Sequence, residues 1–247
     1  MKLVLAEPRL LKDSIGIISE LVNEVTFKID KNNIELIAMD PANVAMVMFK
    51  LLSSAFVEYD VPQEQKISVS LDGLNQILRR AKPSDTMYLE LEPKKNQLII
   101  KLKGESSRTF KLSLLDLDHK EQKMPNLTFS TKVDMPAPVF YEAIDDMGVV
   151  AESVSFRAEK SLFFIEAESK LSAAKVEVTS DDETNIETKE NVISKYSLEY
   201  LKKIVKGSRL AENITLQFGN EYPLRADYKV LDKLSMSFIL APRVTEN

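Results

Sequence analysis

The sequence predicts an α+β protein made of two tandem copies of one domain, with antiparallel strands and two helices per copy gathered on one face of the sheet. Two repeated blocks carry that prediction. "VTFKIDKNNIELIAMD" (25–40) lies on "VSFRAEKSLFFIEAES" (154–169) at a constant offset of 129, matching Val25 to Val154, Phe27 to Phe156, Lys28 to Arg157, Lys31 to Lys160 and Ala38 to Ala167. "SLDGLNQILRRAKPSDTMYLEL" (70–91) lies on "SLEYLKKIVKGSRLAENITLQF" (197–218) at an offset of 127, matching Ser70 to Ser197, Leu71 to Leu198, Leu74 to Leu201, Ile77 to Ile204, Arg79 to Lys206 and Leu89 to Leu216. Two independent blocks with nearly one offset mark an internal duplication.

Each copy reads in the same order: a strand, a helix, several strands, a second helix, several strands. The first block of each pair alternates apolar and polar residues about a short turn, the pattern of two half-buried strands. The first helices fall at Arg9–Val22 and Val139–Val149. Pro8 in one copy and Pro136 and Pro138 in the other suit a first helical turn, where the missing amide is not needed. The second helices fall at Asp72–Ala81 and Leu198–Lys206, each after a serine able to cap it. Between the copies, "DLDHKEQKMPNLTFSTKVDMP" (116–136) has no apolar residue from His119 to Lys123, and Pro125 forbids a continued helix. This is a connector, and long exposed connectors are places where binding concentrates. The expected division is 1–117, a connector at 118–131, and 132–247.

Composition narrows the chemistry. The 247 residues are 44% apolar and 29% charged, enough for a real core. There is no cysteine, so disulfides, thiol catalysis and cysteine-held metals are excluded. The one histidine, His119, lies in the polar run DHKEQK, a poor setting for a catalytic base. Six isolated glycines cannot build a phosphate-cradling loop. The opening MKLVLAEPRLLKDSI is neither a signal peptide nor a membrane span, and no later apolar run nears the ~18 residues a span requires. The expectation is a soluble protein of a reducing interior, with no cofactor and no membrane partner.

Charge is distributed unevenly for a chain of net charge −5. On a helical wheel Leu71, Leu74, Ile77, Leu78 and Ala81 share one arc, with Arg79 and Arg80 opposite beside Asn75 and Gln76. In the second copy Leu198, Leu201, Ile204 and Val205 bury while Lys202, Lys203 and Lys206 project. Amphipathic helices ordinarily carry charge on their solvent side. A basic face repeated in both copies of an acidic chain points further, to a polyanion whose condensed counterions Lys and Arg displace without reading sequence.

"LIAMDPANVAMVMF" (36–49), "LLDLD" (114–118), the central "MP", "FGNEYPLRADYKV" (218–230) and the closing "ILAPRVTEN" (239–247) resemble the proliferating cell nuclear antigen family of DNA sliding clamps across essentially the whole chain. The missing cysteines and brief tail look archaeal. The resemblance implies a trimeric ring with antiparallel sheets outside and helices lining a central hole, encircling duplex DNA and serving as a polymerase processivity factor in replication and repair. It implies DNA polymerase, clamp loader, flap endonuclease and DNA ligase as partners, each docking a short hydrophobic motif beneath the connector. An archaeal member would be cytoplasmic and nucleoid-associated, a eukaryotic one nuclear.

Carried onto matching positions, the resemblance implies a DNA-facing set of Arg9, Lys12, Arg79, Arg80, Lys82, Lys202, Lys203, Lys206 and Arg209. The partner-peptide pocket would use Met39, Asn43, Val44 and Met46, then Gln122, Met124, Pro125 and Phe129 of the connector, and Pro223, Ile239, Ala241 and Pro242. Methionines give adaptable apolar surface, which suits varied partners; the same side chains also fit a strand core. Gln122 departs from the family's frequent apolar residue. Subunits would join through Thr109, Phe110, Lys111 and Leu112 of one protomer and Ala174, Lys175, Val176, Glu177 and Val178 of the next, with Phe110 as the apolar anchor, so that two exposed strand edges cover each other. A second departure is the 139–149 helix, whose polar face holds Glu142, Asp145 and Asp146 and no cation.

Two other classes stand beside the self-assembling clamp. One is a specialised subunit of a heterotrimeric or checkpoint-type ring. The other is a metal-dependent nuclease using Asp116/Asp118, Asp145/Asp146 or Asp181/Asp182/Glu183, since carboxylates can hold Mg²⁺ at a phosphate; the last cluster lies in a polar run that reads as a solvated loop.

Overall fold

A computed structural model describes residues 1–117 and 122–243. The chain forms two compact units, each interrupted in sequence. Unit 1 takes Met1–Met39, Val47–Lys123 and Val230–Met236, and unit 2 takes Asp40–Met46, Met124–Lys229 and Ser237–Asn247.

Unit 1 is built from β1 (Lys2–Leu5), α1 (Arg9–Ile18), β2 (Glu24–Ile29), β3 (Asn33–Met39), β4 (Ala45–Leu52), β5 (Glu58–Asp60), β6 (Gln65–Ser70), α2 (Leu71–Leu78), β7 (Thr86–Glu92), β8 (Gln97–Lys103) and β9 (Ser107–Ser113). One sheet runs β5-β1-β7-β8-β9, and β4-β3-β2-β6 forms a second run of strands. Alternation sets the pleat: Leu98, Ile100 and Leu102 of β8 are buried, and Ile100 stands opposite Leu89 on one side and Phe110 on the other.

Unit 2 repeats the order with β10 (Thr131–Pro136), α3 (Ala137–Met147), β11 (Ser153–Glu159), β12 (Leu162–Glu168), β13 (Ala173–Thr179), β14 (Asn185–Thr188), β15 (Val192–Ser197), α4 (Leu198–Ile204), β16 (Asn213–Phe218), β17 (Leu224–Val230) and β18 (Leu234–Leu240). Its strands run β14-β10-β16-β17-β18 and β13-β12-β11-β15, the same two arrangements as in unit 1. Phe156 centres an aromatic core, with the rings of Phe140, Phe163, Tyr196 and Phe218 at 5.9, 5.4, 5.2 and 5.9 Å.

Three helices are shorter than their apolar periodicity suggests, for local reasons, and α3 lies two residues before the expected Val139–Val149. α1 ends at Ile18 rather than Val22, because the Ser19 hydroxyl bonds back to the Gly16 carbonyl and closes the last turn. α2 ends at Leu78, and the next amides, of Arg80 and Ala81, reach back only three residues; Pro83 disfavours helix at the residue before it. Ser70 caps α2 through the Gly73 amide, whereas Ser197, expected to do the same for α4, makes no side-chain cap. α4 passes into a 3₁₀ turn, Val205–Arg209. Gly207 in that turn lies under the Tyr228 ring, where a Cβ would come within 2.2 Å of Cε2, so only glycine allows the approach.

Candidate nucleic-acid interface, docking loop and assembly edges

In unit 1 the basic residues gather where α1 meets the end of α2. The Lys12 ammonium donates to the Ala81 carbonyl at 3.0 Å and ties the two helices together. Arg9 is exposed and pairs with Asp13 one turn on, at 3.4 Å. Arg9, Lys12 and Lys82 border a cleft of about 450 Å³ that Glu7 and Asp13 also line. Arg79 and Arg80 are exposed and pair with no carboxylate among the described residues. Lys82 pairs with Glu105 at 3.0 Å.

Asn75, which the helical wheel puts on the outer face with Arg79, is instead 7% exposed. Its amide donates to the Ser19 hydroxyl at 3.0 Å, a polar contact sealing the gap between α1 and α2. Behind the arginines, Arg108 of β9 donates to the Arg80 carbonyl at 2.9 Å and pairs with the buried Asp85. The Lys82 amide, and then Arg108, hold the Asp85 carboxyl below the usual carboxylate range despite its burial. The Arg79–Lys82 turn is therefore braced from beneath.

In unit 2, Lys202 and Arg209 are exposed, and Lys203 and Lys206 half-buried. Lys203 pairs with Glu199 at 3.0 Å and lies over the Tyr200 ring at 5.1 Å. Lys202 folds toward α3, so that a Cβ on Gly148 would sit 2.5 Å from its ammonium. α3 buries Ala137, Phe140, Ala143, Ile144 and Met147. Its outer face presents Tyr141, Glu142, Asp145 and Asp146.

The loop of the "MDPANV" motif is organised by Asp40, a residue outside the expected sites. Its carboxylate accepts the amides of Val44 and Ala45 at 2.7 Å each and of Ala42 at 3.2 Å, and the Tyr200 hydroxyl at 2.6 Å. These bonds hold Asn43 at φ 57, a left-handed conformation that asparagine tolerates. Burial pushes the Asp40 carboxyl up, but the Ala45 amide, Tyr200 and the other two amides outweigh it, and the net shift is downward. Tyr200 in turn is pushed up to about 12, first by its bond to Asp40. Because the folded carboxyl titrates below its unfolded value of about 3.9, the stabilisation is complete above that value and lost as pH falls through the lower folded one. The amide resonances of Val44 and Ala45 should therefore titrate with a midpoint below about 3.9; a midpoint at or above it would contradict the clasp.

The expected pocket residues fall in both units. In unit 2 the Ala241 amide donates to the Val44 carbonyl at 2.9 Å. Phe129 meets Tyr222 edge-on at 5.8 Å, beside Pro223. Met124 is 53% exposed, and Pro125 and Asn43 are exposed, whereas Met46 and Ile239 are buried. Ala241 and Pro242 are half-exposed. Met39, half-buried at the end of β3, and Gln122, exposed, belong to unit 1.

β9 and β13 each end a sheet. On β9, Arg108, Phe110 and Leu112 stand opposite the buried Leu102, Ile100 and Leu98, on the core side, while Thr109 and Lys111 point outward. On β13, Ala174, Val176 and Val178 stand opposite Ala167, Ile165 and Phe163, again on the core side. Lys175 and Glu177 take the outer side, where they pair at 3.7 Å and Lys175 covers the Phe164 ring.

No group of three or more acidic or histidine side chains among the described residues is placed to hold a metal ion. Asp181 turns its carboxylate onto the amides of Glu183 and Thr184, closing its own loop. His119 and Asp118 lie outside the described residues. No helix among those described is long and apolar enough to cross a membrane.

Residues 1–122 match the model of the N-terminal domain of proliferating cell nuclear antigen, and residues 123–243 that of its C-terminal domain. A DNA polymerase sliding clamp of Pyrococcus horikoshii is 37% identical over 230 residues, 92% of each chain. One of Nanoarchaeum equitans is 32% identical over 247 residues, 98% of this chain and 99% of that one. The crystal structure of the proliferating cell nuclear antigen of Thermococcus kodakaraensis superposes with a TM-score of 0.91 at 28% identity, covering 98% of this chain and 99% of that chain. On both halves of its sequence and on its fold, the chain belongs to the proliferating cell nuclear antigen family of DNA sliding clamps.

Proposed function

We propose that three copies of the chain close into a ring around duplex DNA and hold replication and repair enzymes on it. Clamps of this family are non-enzymatic processivity factors. The mechanism is topological: phosphate contacts that read no sequence let the duplex slide, and a closed ring prevents its escape. Arg9, Lys12, Arg79, Arg80 and Lys82 of unit 1, with Lys202, Lys203, Lys206 and Arg209 of unit 2, would face the DNA. The relatives are archaeal, which supports a cytoplasmic, DNA-associated protein.

The observation that carries the assembly is the match between the two sheet ends. β9 and β13 both put apolar or half-buried side chains on the core side and polar ones outside, so joining β9 of one protomer to β13 of the next continues one pleat. A head-to-tail contact closes when its rotation divides a full turn. Such a joint covers both edges, which otherwise invite unspecific strand pairing. Both edges lie on this one chain, so a self-assembled ring would need no other subunit. The isolated protein should have the mass of a trimer in solution. A stable monomer that assembles only with related chains would establish the heterotrimeric reading instead.

Partner enzymes would dock through Asn43, Val44, Met46, Met124, Pro125, Phe129, Pro223, Ile239, Ala241 and Pro242 of unit 2, and Met39 and Gln122 of unit 1 belong to the same expected set. Residues 118–131 would serve as the connector between copies 1–117 and 132–247. Exposed Met124 supplies the adaptable apolar contact, and the Asp40 clasp fixes the Asn43–Val44 backbone before a peptide arrives, lowering the entropy lost on docking. The peptide class expected is a short hydrophobic motif carried by a DNA polymerase, clamp loader, flap endonuclease or ligase.

A further inference from the structure

The helices proposed to face DNA are not equally charged. In unit 1, α1 together with α2 and the turn to Lys82 holds five cations against two carboxylates, Asp13 and Asp72. In unit 2, α3 together with α4 and its 3₁₀ turn holds four cations against four carboxylates, Glu142, Asp145, Asp146 and Glu199. Position sharpens the contrast. Packing fixes which side of α3 looks outward, and that side carries three carboxylates and no Lys or Arg.

Lys202 and Lys203 are engaged within unit 2, as Arg9, Lys12 and Lys82 are within unit 1. Lys203 answers Glu199. Lys202 leans over Gly148, just past the last turn of α3, at the negative end of the helix dipole. Arg79 and Arg80 have no such carboxylate, and the Arg108 brace holds their turn in place. At physiological salt, charges within about 8 Å act on one another with little screening. A phosphate near α3 would meet carboxylates, while one near α2 would meet two uncommitted guanidinium groups.

We propose that the duplex bears on the unit 1 helices, and that the outer face of α3 is a stand-off surface keeping phosphates away from one helix in every protomer. The inference rests on the clamp reading. In a ring of three copies, each copy would bring one supporting and one repelling set of helices. The duplex then rests against one protomer's unit 1 helices at a time, tilted or off the axis, and passes between equivalent resting places as the ring slides. The carboxylates of α3 limit how long the duplex stays at any one of them.

The test compares charge variants of the assembled protein, each checked for trimer mass and melting temperature, in their binding to a short linear duplex across a salt series. Arg79→Ala/Arg80→Ala should lower the slope of log affinity against log salt by about two. Lys202→Ala/Lys206→Ala should lower it by clearly less. Asp145→Asn/Asp146→Asn should tighten binding severalfold. A photo-crosslinker at Gln76 on α2 should label DNA well above the same group at Glu142 on α3. Equal slope losses for the two basic pairs, or equal labelling from positions 76 and 142, would overturn the partition and leave the clamp reading standing. If no variant alters DNA binding, both fall together.

Discussion

Phe110→Ala should turn the ring into monomers at concentrations where the parent protein is a trimer. Phe110 lies on the terminal strand of its sheet, opposite Ile100, half-buried in the isolated protomer. On the core side it is flanked by Arg108, which is committed to Asp85, and by Leu112, whose Cδ1 packs toward Gly73 of α2. Phe110 is thus the largest apolar side chain that β9 can offer to a neighbour. Central aromatic anchors commonly contribute about 2 kcal/mol or more to an interface, and each ~1.4 kcal/mol is a factor of ten in affinity. Loss at all three joints of a ring should therefore weaken closure steeply. The protomer should keep its far-UV circular dichroism, because the side chain contributes only part of its surface to the core. Thr109→Ala, on the outer side of the same strand, should leave the trimer nearly intact. Light scattering that gave one trimer-to-monomer midpoint for all three proteins would show that β9 is not the joint.

Phe156→Ala should be the most damaging single truncation for folding. The ring is fully buried and contacts four others at 5.2 to 5.9 Å, in edge-on or tilted arrangements. Truncating a buried phenylalanine costs about 3–5 kcal/mol, and aromatic pairs of this geometry add about 0.5–1.5 kcal/mol beyond area burial. The repeat-equivalent Phe27 is buried too, but makes no ring contact among the described residues. Phe27→Ala should therefore cost less than Phe156→Ala. Denaturant midpoints with an unchanged slope decide it; an equal or reversed order would mean the aromatic cluster adds nothing beyond volume. The two copies thus share a chain path but stabilise it differently, one with an aromatic hub at Phe156 and one with no such hub at Phe27.

Much of this was legible in the sequence because the duplication repeats the signal. Val25, Phe27 and their counterparts alternate in both copies, so each strand pair was seen twice, and the order of strand, helix, strands, helix, strands is the order observed. Helix ends were less legible. The stop after Ile18 depends on one serine hydroxyl turning back to Gly16, which apolar periodicity does not register. Asn75 was placed on the wrong side because its polarity outweighed its angle: four residues after Leu71 and three before Leu78 it shares their buried face, where two polar side chains satisfy each other between helices. The exchange of segments between the units was invisible, since Asp40–Met46 reads as a continuation of the β3 hairpin although it belongs to unit 2.

The functional residues divide in the same way. Basic side chains on outward helix faces could be named from spacing alone, and β9 and β13, which hold the segments expected at the subunit joint, lie at sheet edges. Asp40 was quoted within its motif without a role, because its partners are three backbone amides and a tyrosine 160 positions away, Tyr200. Single-sequence reasoning has no access to such pairings. Arg108 escaped for the same reason: it reads as an exposed strand cation, yet it braces the Arg79–Lys82 turn through Asp85 and the Arg80 carbonyl.

The central claim is that DNA is held by closure of a ring and not by affinity. The direct measurement loads the protein onto nicked circular duplex, follows its retention, and then linearises the DNA with a restriction enzyme. Retention should be long on the circle at salt concentrations that abolish binding to a short duplex, and cutting should release the protein by sliding off the ends. Equal loss from circular and linear DNA would contradict a topological clamp.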